Sequence, residues 1–319
     1  MVAVFLLAAT VRGEWLLLVV LLGKSRLQLW YAQLCEVIEE PSGHQSLTNR
    51  SGEGGFSLDR YKLQNVHLVI GFSLLTSFIM FYTVSWGLQW IYYIKRRDKP
   101  EEWKCQPDRF LTPDNERHEI FMGSCNMALG AVVSGILATY IINGGHTTLY
   151  YGLADRGYLY LVLSIPGLFL YDEASAYYYH RMYHSPLLYR WIHKAHHRYG
   201  CPTAFSAVAM HPLEMLHYQA YLAAPAFTVP LHAGAFVGVL LYIYYYGMID
   251  HSGIRFDSIW PWQEPSVFHD NHHRYFHCNF GANTKLFDWL HDTCRRKDRI
   301  YGEHIFGGRG KRKESSKQN

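Results

Sequence analysis

Residues 66–94 read VHLVIGFSLLTSFIMFYTVSWGLQWIYYI, a run of 29 residues that contains no Asp, Glu, Lys or Arg. About 20 apolar residues in a helix cross the hydrocarbon core of a bilayer, so this run is long enough to span it with some tilt. The basic residues Lys95, Arg96 and Arg97 follow at once, and such a flank marks the cytoplasmic side. The stretch therefore predicts a transmembrane helix whose C-terminal end faces the cytosol.

Three more apolar stretches follow along the chain. Residues 120–142 are uncharged and rich in small residues, which allow close helix–helix contact in lipid. Residues 158–179 are apolar except for Asp172 and Glu173, and acids within a membrane usually face a polar interior. Residues 218–249 are interrupted by prolines and leave open either a tilted hairpin that begins earlier or a re-entrant loop. The pattern predicts an all-α fold, a polytopic membrane helical protein with a cytosolic, histidine-rich metal-binding cap.

The ends of the chain differ from this membrane part. Residues 1–22 are apolar but carry two charges, so a signal peptide, an anchor and an interfacial helix all remain open. We expect an N-terminal segment at 1–65, a membrane domain at 66–301 and a basic C-terminal tail at 302–319. If the flank after residue 94 is cytoplasmic, the sequon at Asn49 lies in the lumen and everything rich in histidine lies in the cytosol.

Composition excludes several classes of protein. The chain has 319 residues, of which 16% are aromatic and 18% are charged, and these fractions argue against a disordered chain, a collagen-like repeat and a coiled coil. Its six cysteines form no CxxC pair, so neither a disulfide framework nor a thiolate zinc finger is expected. The formal net charge of +4 is too small to indicate nucleic-acid binding.

Histidine is the residue that indicates function. Fifteen of the 19 histidines follow residue 179, and eight of these form one HxxxH box and two HxxHH boxes. Positions i, i+3 and i+4 share a helix face, so the imidazoles of each box are expected to converge. Imidazole suits Zn, Cu, Fe and Ni, and eight to ten ligands exceed what one tetrahedral zinc needs, so the count fits two metals. The candidate ligands are His180, His184, His193, His196, His197, His269, His272 and His273, with His211 and His251 as additional candidates.

Carboxylates near the boxes are candidates to accept hydrogen bonds from metal-bound imidazoles, because such acceptors orient the ligands. They are Asp172, Glu173, Asp250 and Asp270. Glu173 precedes His180 by seven residues, or two helical turns, so the two share a face if the helix continues. Ferritin-like di-iron bundles instead use a pair of Glu-x-x-His motifs, and this chain does not show such a pair.

The three boxes HRMYH, HKAHH and HDNHH, in this order after apolar spans, resemble those of the fatty acid hydroxylase/sterol desaturase superfamily of integral membrane oxygenases. The segments PTAF at 202–205, HPLE at 211–214 and DHSG at 250–253 are similar to sterol-oxidising members. The resemblance covers residues 66–301. The chain departs from the pattern in offering only His251 where some members carry a further HxxxH, and His277 where sterol members often have Asn.

The resemblance implies that the histidines bind two iron ions that activate O2 and attack a C–H bond of a membrane lipid. Zinc has no redox chemistry, so iron is the metal that this reaction requires. It further implies hydroxylation or desaturation of a sterol-type substrate in lipid biosynthesis, with no catalytic residue beyond the metal centre. Electrons are expected from NAD(P)H through a separate cytochrome b5 or reductase, and the location is a multi-pass position in the endoplasmic reticulum membrane with cytosolic boxes.

Three alternatives remain open. A fatty-acyl or sphingoid-base hydroxylase would use the same hydrogen abstraction on another lipid. A metal transporter would need ligands along a membrane pathway, whereas these boxes cluster outside the apolar spans. An inactive member that serves as a scaffold would not need three intact boxes.

Overall fold

The computed structural model describes residues 58–313, which are mostly helical. The apolar segment at 1–22 and the sequon at Asn49 lie outside the described residues. The helices are α1 (Val66–Leu88), α2 (Pro100–Trp103), α3 (Pro113–Ile142), α4 (Tyr158–Tyr183), α5 (Pro186–Leu188), α6 (Lys194–His197), α7 (Pro212–Ala223), α8 (Pro225–Thr228), α9 (Ala233–Asp250), α10 (Val267–Tyr275) and α11 (Leu286–His291). The π-helical turns Gln89–Ile94 and Tyr189–His193 continue α1 and α5, a 3-10 helix spans Ala204–Val208, and the strands β1 (Arg299–Ile300) and β2 (Lys311–Arg312) pair antiparallel.

Three helices of the described part are long and apolar enough to cross a membrane, namely Val66–Ile94, Pro113–Ile142 and Ala233–Asp250. They agree with the spans expected at 66–94 and 120–142 and with the second half of the stretch at 218–249. The span expected at 158–179 does form a helix, α4, which contains both acids, but this helix is not among the three.

The apolar stretch at 218–249 is divided by its prolines, which lack the backbone N–H that a continuing helix needs. It contains the end of α7, the short α8 and then α9. His232 begins α9 by accepting a hydrogen bond on Nδ1 from the Ala235 N–H. The helix ends beside His251, so this span delivers a histidine to the site.

Small residues on α3 allow the close packing that the sequence predicts. A Cβ at Gly135 would lie 2.8 Å from the Ile70 Cα of α1, and a Cβ at Gly123 would lie 2.7 Å from the Phe205 carbonyl oxygen. The helix begins at Pro113 after Thr112, whose hydroxyl accepts a hydrogen bond from the Asn115 N–H. A Pro at the first position after a Thr cap is a common helix start.

The 3-10 helix is anchored between α1 and α3. The Phe205 ring packs edge-on against Phe81, with 5.6 Å between the centroids. Buried Asn126 donates hydrogen bonds to the carbonyls of Val208 (2.8 Å) and Met210 (2.7 Å). These bonds fix the backbone of residues 208–210, which supplies a carbonyl to the site described below.

The end of α1 lies beside the end of α9. The Tyr93 hydroxyl donates to the Ser252 carbonyl at 2.7 Å, and the Cys105 N–H donates to the Gly253 carbonyl at 2.9 Å. The basic residues Lys95–Arg97 and His251 therefore lie at the same end of the helices. This is the arrangement that the expected topology requires.

Candidate metal centre

Nine histidines converge in the structure. They come from the C-terminal end of α4, the π-helical turn after α5, the helix α6, the residue that follows α9, and the helix α10. Within each of two groups, one ring nitrogen per residue lies within 4.8 Å of the others. The first group contains His180, His184, His193, His197 and His272. The second group contains His196, His251, His269 and His273. All except the half-buried His180 are buried.

Local helix geometry presents these rings. His180 and His184 lie one turn apart at the end of α4, where Ser185 and Pro186 begin the next helix. On the third box, α10 ends because Phe276 adopts a positive φ of 68°, which stops the helical hydrogen bonding. The chain then turns back so that the Cys278 carbonyl meets His272.

Each HxxHH box contributes to both groups, which differs from the single shared face that the spacing predicts. In the second box, positions i and i+4 join the first group while i+3 joins the second group. In the third box the division is reversed, because i and i+4 (His269 and His273) join the second group and His272 joins the first. With about 3.6 residues per turn, positions i+3 and i+4 point about 100° apart, so they can face different neighbours.

Oxygen acceptors fix the tautomers of five rings. A carbonyl or carboxylate oxygen only accepts, so the Nδ1 that faces it carries the proton and the Nε2 lone pair is free. The Nδ1 donors and their acceptors are His180 to the Phe280 carbonyl (2.9 Å), His193 to Glu214 Oε1 (2.6 Å), His196 to the Ala209 carbonyl (3.2 Å), His251 to Asp250 Oδ1 (2.6 Å) and His272 to the Cys278 carbonyl (2.7 Å).

The Nε2 atoms face one another, and this arrangement fits a metal. In the first group the Nε2 atoms of His180 and His193 lie 3.2 Å apart, and in the second those of His196 and His251 also lie 3.2 Å apart. Two lone pairs cannot hydrogen bond to each other. A metal–nitrogen bond of about 2.1 Å places two ligands at right angles about 3 Å apart. The rings therefore fit ligands around a common cation in each group.

The electrostatics of the groups suit metal binding. Burial lowers the pKa of His184, His196 and His272 well below the ordinary value, with the neighbouring histidines as a further cause. These rings stay neutral at physiological pH, which keeps their lone pairs available to a metal. Neutral imidazole is a ligand for Fe, Zn, Cu and Ni.

Two carboxylates bind ring nitrogens of the groups. Asp250, one of the four expected from the sequence, accepts from His251. Glu214 accepts from His193, and no role was expected for it. Glu214 is the last residue of the HPLE motif, but the residue of that motif expected to bind metal was His211. The structure places His211 outside both groups, where its Nδ1 accepts from the Leu213 N–H at the start of α7.

The other three expected carboxylates meet no ring of the two groups. Both oxygens of Glu173 instead accept hydrogen bonds from residues 283–284, at 2.6 Å to 3.1 Å. Asp270 bonds to Gln106, and the Asp172 oxygens have no hydrogen-bond partner among residues 58–313. Glu173 therefore holds the loop at residues 283–284 in place and does not orient a metal ligand.

An apolar cavity opens on both groups. It is lined by His180 and His193 of the first group and by His196, His251 and His269 of the second. Its space, including the open mouth, is about 810 Å³. Tyrosines from α4, α7 and α9 line much of the rest, namely Tyr179, Tyr183, Tyr218, Tyr221 and Tyr246.

Comparison with known proteins agrees with this site. Residues 165–293 match the family model for fatty acid hydroxylase. Lathosterol oxidase of Rattus norvegicus is 29% identical over 167 residues, which are 50% of this chain and 54% of that protein. This part of the chain is therefore similar to the fatty acid hydroxylase family and to sterol-oxidising enzymes. The matched segment contains all nine histidines of the two groups.

Two further relatives are also sterol enzymes by name. The Delta(7)-sterol 5(6)-desaturase of Gibberella zeae is 25% identical over 162 residues, covering 50% of this chain and 47% of that protein. The corresponding desaturase of Candida albicans is 29% identical over 163 residues, covering 48% and 40%. The chain thus spans about half the length of the curated relatives it matches. No solved structure gives a significant match.

Proposed function

We propose that this protein is a membrane oxidoreductase that hydroxylates or desaturates a C–H bond of a sterol-type lipid, using O2 and two iron ions. The observation that carries the proposal is that two groups of mutually facing imidazoles line one apolar cavity. A lipid in that cavity would lie beside both groups at once. The membrane helices α1, α3 and α9 support delivery of such a substrate from the bilayer.

The nine histidines of the two groups are the proposed ligands, one iron in each group. Bound iron would supply the activation of O2 that oxidation of an unactivated C–H bond requires, and zinc would not. The chain itself contributes three things. Oxygen acceptors hold the tautomers of five ligands, burial excludes water from the rings, and the tyrosine-rich cavity orients the lipid against them.

The sterol class is supported by the names of the relatives, lathosterol oxidase and Delta(7)-sterol 5(6)-desaturase. A cavity lined mainly by aromatic and aliphatic side chains suits a rigid apolar ring system. The phenol groups of Tyr179, Tyr218 and Tyr221 add polar atoms that can receive a lipid hydroxyl.

We also infer that the histidine groups face the cytosol from the endoplasmic reticulum membrane. The basic residues Lys95–Arg97 lie at the same end of the helices as His251, and basic residues concentrate on the cytoplasmic side. A separate cytochrome b5 or reductase would there deliver electrons from NAD(P)H.

The test is to purify the full chain, measure its iron, and assay it with NADH, cytochrome b5, its reductase and O2. Candidate sterols, fatty acids and sphingoid bases are supplied separately. We expect two irons per chain and an oxidised sterol that depends on O2. An oxidised fatty acid or sphingoid base instead would assign the other lipid class. Iron-loaded protein that oxidises none of the three would contradict the proposed function.

A further inference from the structure

One proposed ligand, His184, has a partner unlike those of the five rings described above. Its Nδ1 lies 2.8 Å from the Nδ1 of His277 rather than from an oxygen. His277 is fully buried and belongs to neither group of ligands. A nitrogen partner can either donate or accept, so the tautomer of His184 depends on that of His277.

The hydrogen bond at the other ring nitrogen of His277 determines its tautomer. Its Nε2 lies 2.8 Å from the backbone carbonyl oxygen of Glu303. A carbonyl only accepts, so His277 carries its proton on Nε2 and, as a neutral imidazole, presents a lone pair on Nδ1. His184 therefore donates from Nδ1 and keeps a free lone pair on Nε2, which faces the Nε2 of His197 at 3.2 Å.

We propose that His277 is a positioning residue for His184, and that the Glu303 carbonyl sets the tautomer in which His277 accepts from it. The inference rests on the proposed metal binding by the first group. Glu303 follows the matched family segment, which ends at residue 293. The chain thus adds a structural element beyond that segment to the support of one ligand.

Residues 299–313, the C-terminal segment, are held firmly enough to serve in this way. The pairing of β1 with β2 closes the segment on itself. The Glu303 carboxylate pairs with Lys194 at 2.7 Å, next to the ligand His193. The Phe306 ring lies over His277, with 4.2 Å between the centroids. Three separate contacts therefore place the Glu303 carbonyl against the buried imidazole.

Two isosteric variants separate the two hydrogen bonds of His277. In His277→Asn, the amide oxygen occupies the place of Nδ1 and can still accept from His184, but nothing reaches Glu303. In His277→Gln, the amide occupies the place of Nε2 and can reach Glu303, but no acceptor remains for His184. If His277 acts by orienting His184, Asn preserves its function and Gln does not.

The experiment titrates metal-free protein with Fe(II) without oxygen and measures affinity and stoichiometry. We expect His277→Asn to bind both irons with nearly the wild-type affinity. His277→Gln should weaken one of the two sites about 10- to 100-fold, the usual effect of losing a partner of a metal ligand. Glu303→Gln removes the ion pair with Lys194 but leaves the carbonyl, the pairing of β1 with β2 and the Phe306 contact, so its iron affinity should fall less than that of His277→Gln.

Equal iron binding by the Asn and Gln variants would overturn the proposal, whether both bind normally or both lose iron. Packing alone would then explain why a histidine lies at residue 277. The readout is independent of lipid oxidation. Protein that binds two irons but oxidises no lipid would contradict the proposed function while leaving this inference intact.

Discussion

His196 and His197 are adjacent in the chain but belong to different groups of proposed ligands. Their ring planes lie at 85°, with 5.9 Å between the centroids. The Nε2 of His196 faces His251 at 3.2 Å, whereas the Nε2 of His197 faces His272 at 3.0 Å. A single turn of helix therefore joins the two groups and fixes the spacing between them.

This division predicts that neighbouring substitutions remove different irons. His196→Ala should lose the iron of the second group, and His197→Ala should lose that of the first group. Each should also abolish lipid oxidation, because the proposed reaction uses both metals. Iron content per chain, combined with a spectrum that distinguishes the two sites, checks the prediction.

His211→Ala is the matched control for these variants. Its ring only accepts a hydrogen bond from the Leu213 N–H and lies outside both groups. We expect unchanged iron content and unchanged oxidation of lipid. Loss of iron in this variant, or retained turnover in His196→Ala, would contradict the ligand assignment.

Much of the site could be predicted because its signal is local. The spacing of the boxes placed eight of the nine grouped histidines as candidates, since residues one helical turn apart are neighbours on any helix. The division of each box between two groups could not be predicted, because it depends on which helices lie on either side. Assigning His251 to the second group also required the positions of the helices, because it meets His196 from 55 residues away.

The side chains that hydrogen bond to the proposed ligands were harder to predict from the sequence. Asp250 was identifiable because it adjoins His251. Glu214 and His277 lie 21 and 93 residues from the rings they contact, and no spacing rule connects such positions. The fold shows the same contrast, since apolar length predicted the spans of α1 and α3, whereas the prolines within 218–249 indicated an interruption but left its form open.

Glu214 provides a second prediction, since it accepts the Nδ1 proton of His193 at 2.6 Å. Glu214→Gln keeps an amide oxygen that can accept this bond and should retain both irons. Glu214→Ala removes the acceptor and should weaken iron binding at the first group about 10- to 100-fold. Anaerobic Fe(II) titration of both variants checks this, and equal affinities would show that the acceptor does not matter.

Glu173 provides a third prediction, which concerns stability rather than metal. Its carboxylate accepts from the N–H groups of Asn283 and Thr284 and from the Asn283 side chain. Glu173→Gln turns an amide donor toward one of these donors. Leaving a buried donor without an acceptor should lower the free energy of unfolding by about 1–3 kcal/mol. Thermal unfolding in detergent measures this loss.

The neighbouring variant Asp172→Asn serves as the control, because the Asp172 oxygens have no hydrogen-bond partner among the described residues. It should not lower the unfolding temperature. Since Asn283 also lines the cavity, Glu173→Gln should in addition raise KM for the lipid while iron content stays normal. An unfolding temperature equal to that of the wild type would show that the loop is held by other contacts.

The role of the cavity in lipid binding is tested by a substitution on α9 that places a larger side chain in it. Gly247 lines the cavity, and a Cβ placed there would meet no atom within 4 Å. Gly247→Leu should therefore fold normally and project into the space that the lipid needs. We expect lipid oxidation to fall sharply while both irons remain bound. Gly71→Leu is the control, because a Cβ there is also unobstructed but lies on the exposed side of α1. Equal turnover by the two variants would place the lipid elsewhere.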